Sequence, residues 1–463
     1  MRLLFLPLLL FISAATNAQT LNQFMRLHAH HAYTDVSAII ANNKGDVLYS
    51  SRPNKLVAPA SLTKLFTASA ALLYLGPRYT FKTKLLITGN QRKNTLNGNL
   101  TVMFGGDPSL KQKDLIELMS QLKKQGIKRI NGHVYFSAHV FDDQPYPDGT
   151  TVDDLPYYYA SPISSVIINE NAFNLKININ PKNSIPTLKY TTLAPIKVVN
   201  QLQIRHDNTC KMIIKSDINN RYVLQGCRPF HPSAFTETDQ LAIRNPIRAA
   251  PYFIKNALDK NGISFLGLPR LTSPKSRQKI IATHTSVPLT ELIHHMLKES
   301  DNNIANTIFK TIGHLHSHSL GSWKNGAKAI NTILANELDI HLSHAMIIDG
   351  AGLSRYNLLS AQTVLNLLER IHNDPRLAPY ILPSLPISGK DGTLKDRFSQ
   401  LLQPAILKAK TGTMTGVSNL AGYLTTQHHR HLTIVFMSDR FYYKVKKVRQ
   451  WEDGILSQLA LRY

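Results

Sequence analysis

Between Ser61 and Gly76 the chain carries one charged side chain, Lys64, among residues that are otherwise apolar or small. Pro59 precedes this stretch and Gly76-Pro77 closes it, which predicts a helix from about Ser61 to Leu75. A helix that is apolar on nearly every side must be covered on nearly every side, so it is expected to be the buried central helix of a larger fold. A lysine at its start is then desolvated, and it lies one helical turn from Ser61, on the same face. Serine is a poor nucleophile until a neighbour takes its proton. Lysine can do this near neutral pH once burial or a nearby cation lowers its pKa from about 10.4. Ser61 and Lys64 are therefore candidates for nucleophile and base.

Ser-x-x-Lys by itself is a cheap pattern. It recurs at Ser120–Lys123, on a wet amphipathic helix expected over 114–125, and at Ser276–Lys279, in a basic loop over 273–279. Neither setting desolvates the lysine. Two other triplets bear on the choice. Ser300-Asp301-Asn302 falls between two helical faces, Leu289, Leu292, Ile293, Met296, Leu297 and Ile304, Ala305, Ile308, Phe309, Ile312. Alone it reads as an ordinary loop whose serine or asparagine caps the next helix. Lys410-Thr411-Gly412 falls on an expected strand over 407–413 and supplies a cation and a hydroxyl suited to a carboxylate. Gly412 and Gly416 leave room beside the backbone, where N–H groups of an unpaired edge serve as oxyanion donors. Alone it reads as a solvated strand lysine.

Around these triplets the pattern is α/β. A hairpin is expected over 36–41 and 46–51, and strands over 407–413, 419–425 and 431–438, with His428-His429 in the last turn. Helices are expected near 323–337, 361–373 and 443–461. From about residue 80 to 265 the texture is mainly β apart from the 114–125 helix. The expected plan is an antiparallel sheet flanked by helices, interrupted by a long insertion. Residues 19–79 and 266–463 would form one discontinuous domain, 80–100 and 158–265 an inserted domain, and 101–157 a second domain nested in it.

The first residues read as an export signal. Met1-Arg2 is followed by an apolar run over Leu3–Ile12, too short to span a bilayer, and Thr16-Asn17-Ala18 offers small residues for cleavage after Ala18. Cys210 and Cys227 flank an expected hairpin, 211–215 against 221–225, and fall opposite each other, so a cross-strand disulfide is expected in an oxidising compartment. A periplasmic location follows. The chain has 53 Lys+Arg against 29 Asp+Glu, a net charge of +24 spread along its length. With an export signal and no concentrated basic helix, nucleic acid is not expected as a partner. Loose association with an anionic membrane surface, or solubility alone, accounts for the charge.

The order and setting of Ser61-x-x-Lys64, Ser300-Asp301-Asn302 and Lys410-Thr411-Gly412 resemble the motif set of penicillin-binding proteins and class A β-lactamases. Ser61 and Ser300 are 239 positions apart, and no Glu-x-x-Leu-Asn follows Ser300. The chain thereby resembles class C low-molecular-mass penicillin-binding proteins, the D-alanyl-D-alanine carboxypeptidase/endopeptidases. The likeness also rests on Phe104–Pro108, Asp349–Arg355, Gly392-Thr393-Leu394 and Ser418–Tyr423. It implies an acyl-enzyme on Ser61, with Lys64 as base and the Ser61 and Thr413 N–H groups as oxyanion hole. Ser300 and Asn302 complete the polar network, and Lys410, Thr411 and Thr413 bind the terminal carboxylate. Arg355, Asp154 and Tyr159 are implied in a pocket for diaminopimelate. Asp153 beside Asp154 and the run Tyr157-Tyr158-Tyr159 allow that register to slip by one, and Thr415 replaces a larger polar residue of some relatives. The implied partners are peptidoglycan stem peptides, their cross-links, and β-lactams as covalent inhibitors. No cofactor and no metal are implied. The rival reading is a β-lactamase-like hydrolase.

Overall fold

The computed structural model describes residues 35–463 apart from 208, 274–277, 400, 402, 442 and 443. The signal peptide over 1–18 with its cleavage after Ala18, the serine of Ser276–Lys279 and the first residue of the 443–461 helix lie outside the described residues. The chain divides into two compact units. One gathers 35–77 with 293–301 and 330–463; the other gathers 78–292 and 302–329.

The first unit is built on a five-stranded antiparallel sheet. Its order is Ile406–Met414, Val417–Thr425, His431–Asp439, Asp35–Asn42, Val47–Ser51. The His431–Asp439 strand is buried from its second residue onward, so both of its faces need cover and it takes the centre. On one face Leu407, Leu420, Leu424, Ile434 and Phe436 cluster with Ile455, Leu456 and Leu459 of the closing helix Val445–Arg462. The strand carrying Lys410 is left at the sheet edge. The expected helix over 61–75 forms as a 3-10 turn, Ala60–Leu62, running into an α-helix, Thr63–Tyr74, buried from Thr63 to Leu72.

The second unit holds a five-stranded mixed sheet and smaller three-stranded sheets. The Gln112–Lys124 helix buries Leu115, Leu118, Met119 and Leu122 in the same apolar cluster as Val102, Phe104 and Phe136. Met212–Ser216 pairs antiparallel with Arg221–Pro229, Met212 opposite Gly226. That register brings Cys210 and Cys227 into a disulfide, with Cα atoms 5.2 Å apart. The mainly β reading of this region passes over one element, a fifteen-residue helix at Pro246–Lys260. Two prolines disguise it. Pro246 occupies the first turn, where its missing N–H costs nothing, and the Asn245 side chain caps by accepting from Arg248 N. Pro251 forfeits a ladder bond, and burial of Ala249, Ala250, Phe253, Ile254, Ala257 and Leu258 offsets the loss.

Candidate active site

In the first unit the Ala60–Leu62 turn presents Ser61 and the helix behind it carries Lys64. The Lys64 ammonium donates to Ser61 Oγ at 2.8 Å and to the Ala351 carbonyl at 2.9 Å. Lys64 is fully buried, and burial pulls its pKa down to about 7 against the raising effects of Asp349 and Asp301. An amine near neutrality at hydrogen-bond distance from a hydroxyl is the pairing that activates a serine. At Ser120–Lys123, by contrast, Lys123 is exposed and Ser120 Oγ donates to the Glu117 carbonyl.

The Ala351 carbonyl is held in place by Asp349. This buried carboxyl accepts from the backbone N–H of Gly352, Leu353 and Ser354 at 2.7–3.0 Å and from Asn357 Nδ2 at 2.8 Å. Burial raises its pKa, while these donors and Lys64 oppose the shift. Thr67 Oγ1 ties the same loop to the helix by donating to the Gly350 carbonyl. On the sheet side, Asn419 Nδ2 donates to the carbonyls of Ala58 and Pro59, while its Oδ1 accepts from Ser438 N. The turn before Ser61 is thus fastened to the sheet.

The other two triplets also take the expected settings. Ser300 stands at the corner between the helices Leu289–Lys298 and Asn302–Ser317, with φ of +61°. Lys410 is fully buried on the edge strand and donates to Ser300 Oγ and to the Thr411 carbonyl, each at 2.9 Å. Burial, then Lys64, hold its pKa well below the usual lysine range. Thr411 Oγ1 donates to Thr393 Oγ1 at 2.7 Å. A Cβ on Gly412 would lie 2.7 Å from the Pro59 carbonyl oxygen, so only glycine lets the strand run this close to the turn. Thr413 is exposed, and its Oγ1 accepts from Arg449 Nη2 at 2.6 Å.

The remaining candidates divide between the units. Arg355, in the first unit, donates to the Thr415 carbonyl at 2.8 Å. In the second unit Tyr159 OH donates to Asp154 Oδ1 at 3.0 Å, and the Tyr157 and Tyr159 rings stack with centroids 5.6 Å apart. That bond pairs Tyr159 with Asp154 rather than Asp153. Asn302 Nδ2 donates to the Tyr159 carbonyl at 2.8 Å. Sequence reasoning missed the parts played by Asp349, Asn419, Thr393 and Arg449. The first three lie inside sequence segments already singled out, but nothing in the pattern of the closing helix marks Arg449. Among the described residues no group of three or more His, Cys, Asp or Glu gathers as a metal would require, and no helix is long and apolar enough to cross a membrane.

The family model described as D-Ala-D-Ala carboxypeptidase 3 (S13) matches residues 25–459. The chain is 33% identical over 404 residues to D-alanyl-D-alanine carboxypeptidase DacB of Haemophilus influenzae, covering 85% of this chain and 82% of that protein. It is 27% identical over 404 residues to D-alanyl-D-alanine carboxypeptidase of Actinomadura sp. (strain R39), covering 83% and 74%. Among solved structures, penicillin binding protein 4 (dacB) from Haemophilus influenzae superposes with a TM-score of 0.84 at 30% identity, covering 96% of this chain and 99% of that one. The same protein complexed with a β-lactam gives a TM-score of 0.80 at 29% identity, with the same coverage.

Proposed function

Because the chain belongs to the D-Ala-D-Ala carboxypeptidase 3 (S13) family, a family of serine D,D-peptidases, we propose that Ser61 is the residue acylated by substrate, with Lys64 as its base. The observation that carries this assignment is the 2.8 Å bond between Lys64 Nζ and Ser61 Oγ, made by a fully buried amine whose pKa lies at about 7.

The reaction runs in two halves. Ser61 Oγ attacks the carbonyl carbon between two D-alanines as Lys64 takes its proton. The oxyanion is held by the N–H groups of Ser61 and Thr413, the latter on the edge strand. The C–N bond breaks as Ser300, oriented by Lys410, relays to the leaving amine the proton that Lys64 took, which leaves Lys64 neutral again. Water then attacks the ester as Lys64 takes its proton, the acyl C–O bond breaks, and Lys64 returns that proton to Ser61 Oγ. Thr411 and Thr413 hydroxyls, with the Lys410 amine behind them, receive the terminal carboxylate, and Arg449 fixes the Thr413 hydroxyl. Gly412 lets the edge strand close on the Pro59-Ala60 backbone just before Ser61, where the sequence alone suggests open room beside the strand. Asn302, two positions on from Ser300, supplies an amide to the substrate.

Where the leaving amine belongs to a neighbouring stem peptide, the same steps cut a D-Ala–diaminopimelate cross-link. The preference for diaminopimelate is assigned to Arg355 for its carboxylate, Asp154 for its ammonium and Tyr159 as a wall. β-Lactams, one of which is held by the Haemophilus influenzae relative, acylate Ser61 in the same way. The site of action is the periplasm, reached through cleavage after Ala18, and the net charge of +24 supports loose association with anionic lipid. The discontinuous peptidase domain over 19–79 and 266–463, with its nested insertions, is retained as the domain plan. Purified protein incubated with cross-linked muropeptides tests the whole reading. Release of both free D-alanine and cleaved monomers is expected. Release of neither, with intact folding, would sink it.

A further inference from the structure

The second unit contains a cavity of about 610 Å³ made wholly by its own residues. One wall is the outward face of the three-stranded sheet Thr187–Tyr190, Ala172–Ile179, Phe235–Ala242. On that wall Lys176 and Lys189 stand directly opposite each other in antiparallel register. Residues so paired point to the same face with Cβ atoms about 5 Å apart, and like charges there repel. Neither lysine has a carboxylate within ion-pair distance among the described residues, and both are exposed. Asn174 and Gln240 form the neighbouring cross-strand pair on the same face. Tyr190, exposed at the cavity, supplies aromatic surface, and its ring stands edge-on at 6.1 Å to the buried Phe173. Across the cavity Lys111 is already neutralised by Glu170.

Two unneutralised cations held together, beside two amides and aromatic surface, describe a site for an extended ligand with several carboxylates. We propose that this cavity binds a second acidic stem peptide of the wall, so that the inserted unit holds the polymer while the active site works on one of its peptides. The proposal rests on the D,D-peptidase reading for the identity of the polymer. The cross-strand amides would bond the peptide backbone, and the two ammonium groups its side-chain and α-carboxylates.

The test uses whole protein acylated beforehand with penicillin, so that the active site is filled. Calorimetric titration with the free peptide L-Ala-D-Glu-diaminopimelate-D-Ala is expected to show binding to the acylated protein. K176Q/K189Q should weaken that binding roughly fivefold, the scale of two exposed ion pairs, and K176R/K189R should keep it. Both variants should keep the wild-type urea unfolding midpoint, which shows that the unit carrying the cavity folds. The proposal is overturned if acylated wild type does not bind the peptide, if K176Q/K189Q binds it equally well, or if inorganic phosphate displaces it at equal concentration. Failure of penicillin to acylate the wild type would instead count against Ser61, and the same titration of unacylated wild type and K176Q/K189Q then decides the cavity by the same outcomes.

Discussion

A Cβ placed on Gly352 would stand 1.8 Å from the carbonyl oxygen of Ala60. The two backbones meet there because each is turned into the left-handed region, Ala60 at φ +46° and Gly352 at φ +80°. A non-glycine residue at that φ is strained, and such strain persists only where its surroundings fix it. Ala60 immediately precedes Ser61, and Gly352 follows the carbonyl that receives Lys64. The contact therefore sets Ser61 and Lys64 in one frame. Gly352→Ala must push these segments apart. It is expected to slow acylation by labelled penicillin about a hundredfold, the order that a 1 Å misplacement costs. Acylation at the wild-type rate would show that the frame is not needed.

Lys64 predicts a pH profile. As base it must be the free amine, and its pKa lies at about 7 because of burial. The second-order rate of acylation should rise with pH through about 7 and level off above it, with other groups saturated. Lys64→Arg keeps a cation that cannot lose its proton, so acylation should fall by roughly three orders of magnitude at every pH. A flat profile between about pH 6 and pH 8 in the wild type contradicts the role given to Lys64.

Glu452 predicts a stability profile of opposite sense. It lies fully buried on the closing helix, accepts from Ser418 Oγ and pairs with Arg397. Among the described residues its Oε1 has no hydrogen-bond partner. Burial outweighs Arg397 and raises its pKa from 4.5 to about 7. A raised folded pKa means that the native state holds a proton that the unfolded chain loses. The contribution is therefore complete below pH 4.5 and lost as pH rises through about 7. Glu452→Gln should remove that loss. Urea unfolding at about pH 5 and about pH 7.5 should show the variant gaining on the wild type by up to roughly 3 kcal/mol. An equal difference at both values would mean that the carboxyl does not titrate as described.

The Cys210–Cys227 disulfide closes a loop over a sequence separation of 17. By chain entropy it should contribute about 3 kcal/mol. Cys210→Ser with Cys227→Ser is expected to lower the unfolding midpoint while leaving penicillin acylation unchanged, because both cysteines belong to the second unit. Loss of acylation in a folded double variant would tie the hairpin to catalysis.

Much of this site was legible in the sequence because a single charge in an apolar helix has few explanations. Ser61, Lys64, Ser300 and Lys410 are picked out by that logic and by their order, and the structure pairs Lys64 with Ser61 and Lys410 with Ser300. Periodicity gave the helices Leu289–Lys298, Asn302–Ser317 and Ala361–Asn373, whose apolar faces repeat cleanly. It missed Pro246–Lys260, where two prolines override the pattern and packing restores the helix. It also missed Arg449, since an arginine on a helix with polar neighbours looks like any solvated one. Only the fold lets it donate to Thr413, far back in the chain. The carboxyl of Asp349 was visible in its glycine-rich segment, but its task was not. Holding a loop through three backbone N–H groups leaves no periodic trace.

The central claim is that Ser61 forms the acyl-enzyme, and mass spectrometry of the penicillin-treated protein tests it most directly. One penicilloyl adduct is predicted, on the peptide containing Ser61 and slow to clear. None should form in Ser61→Ala, which should also release no D-alanine from a pentapeptide. An adduct on another serine, rapid turnover of the drug, or D-alanine release that survives Ser61→Ala would contradict the account.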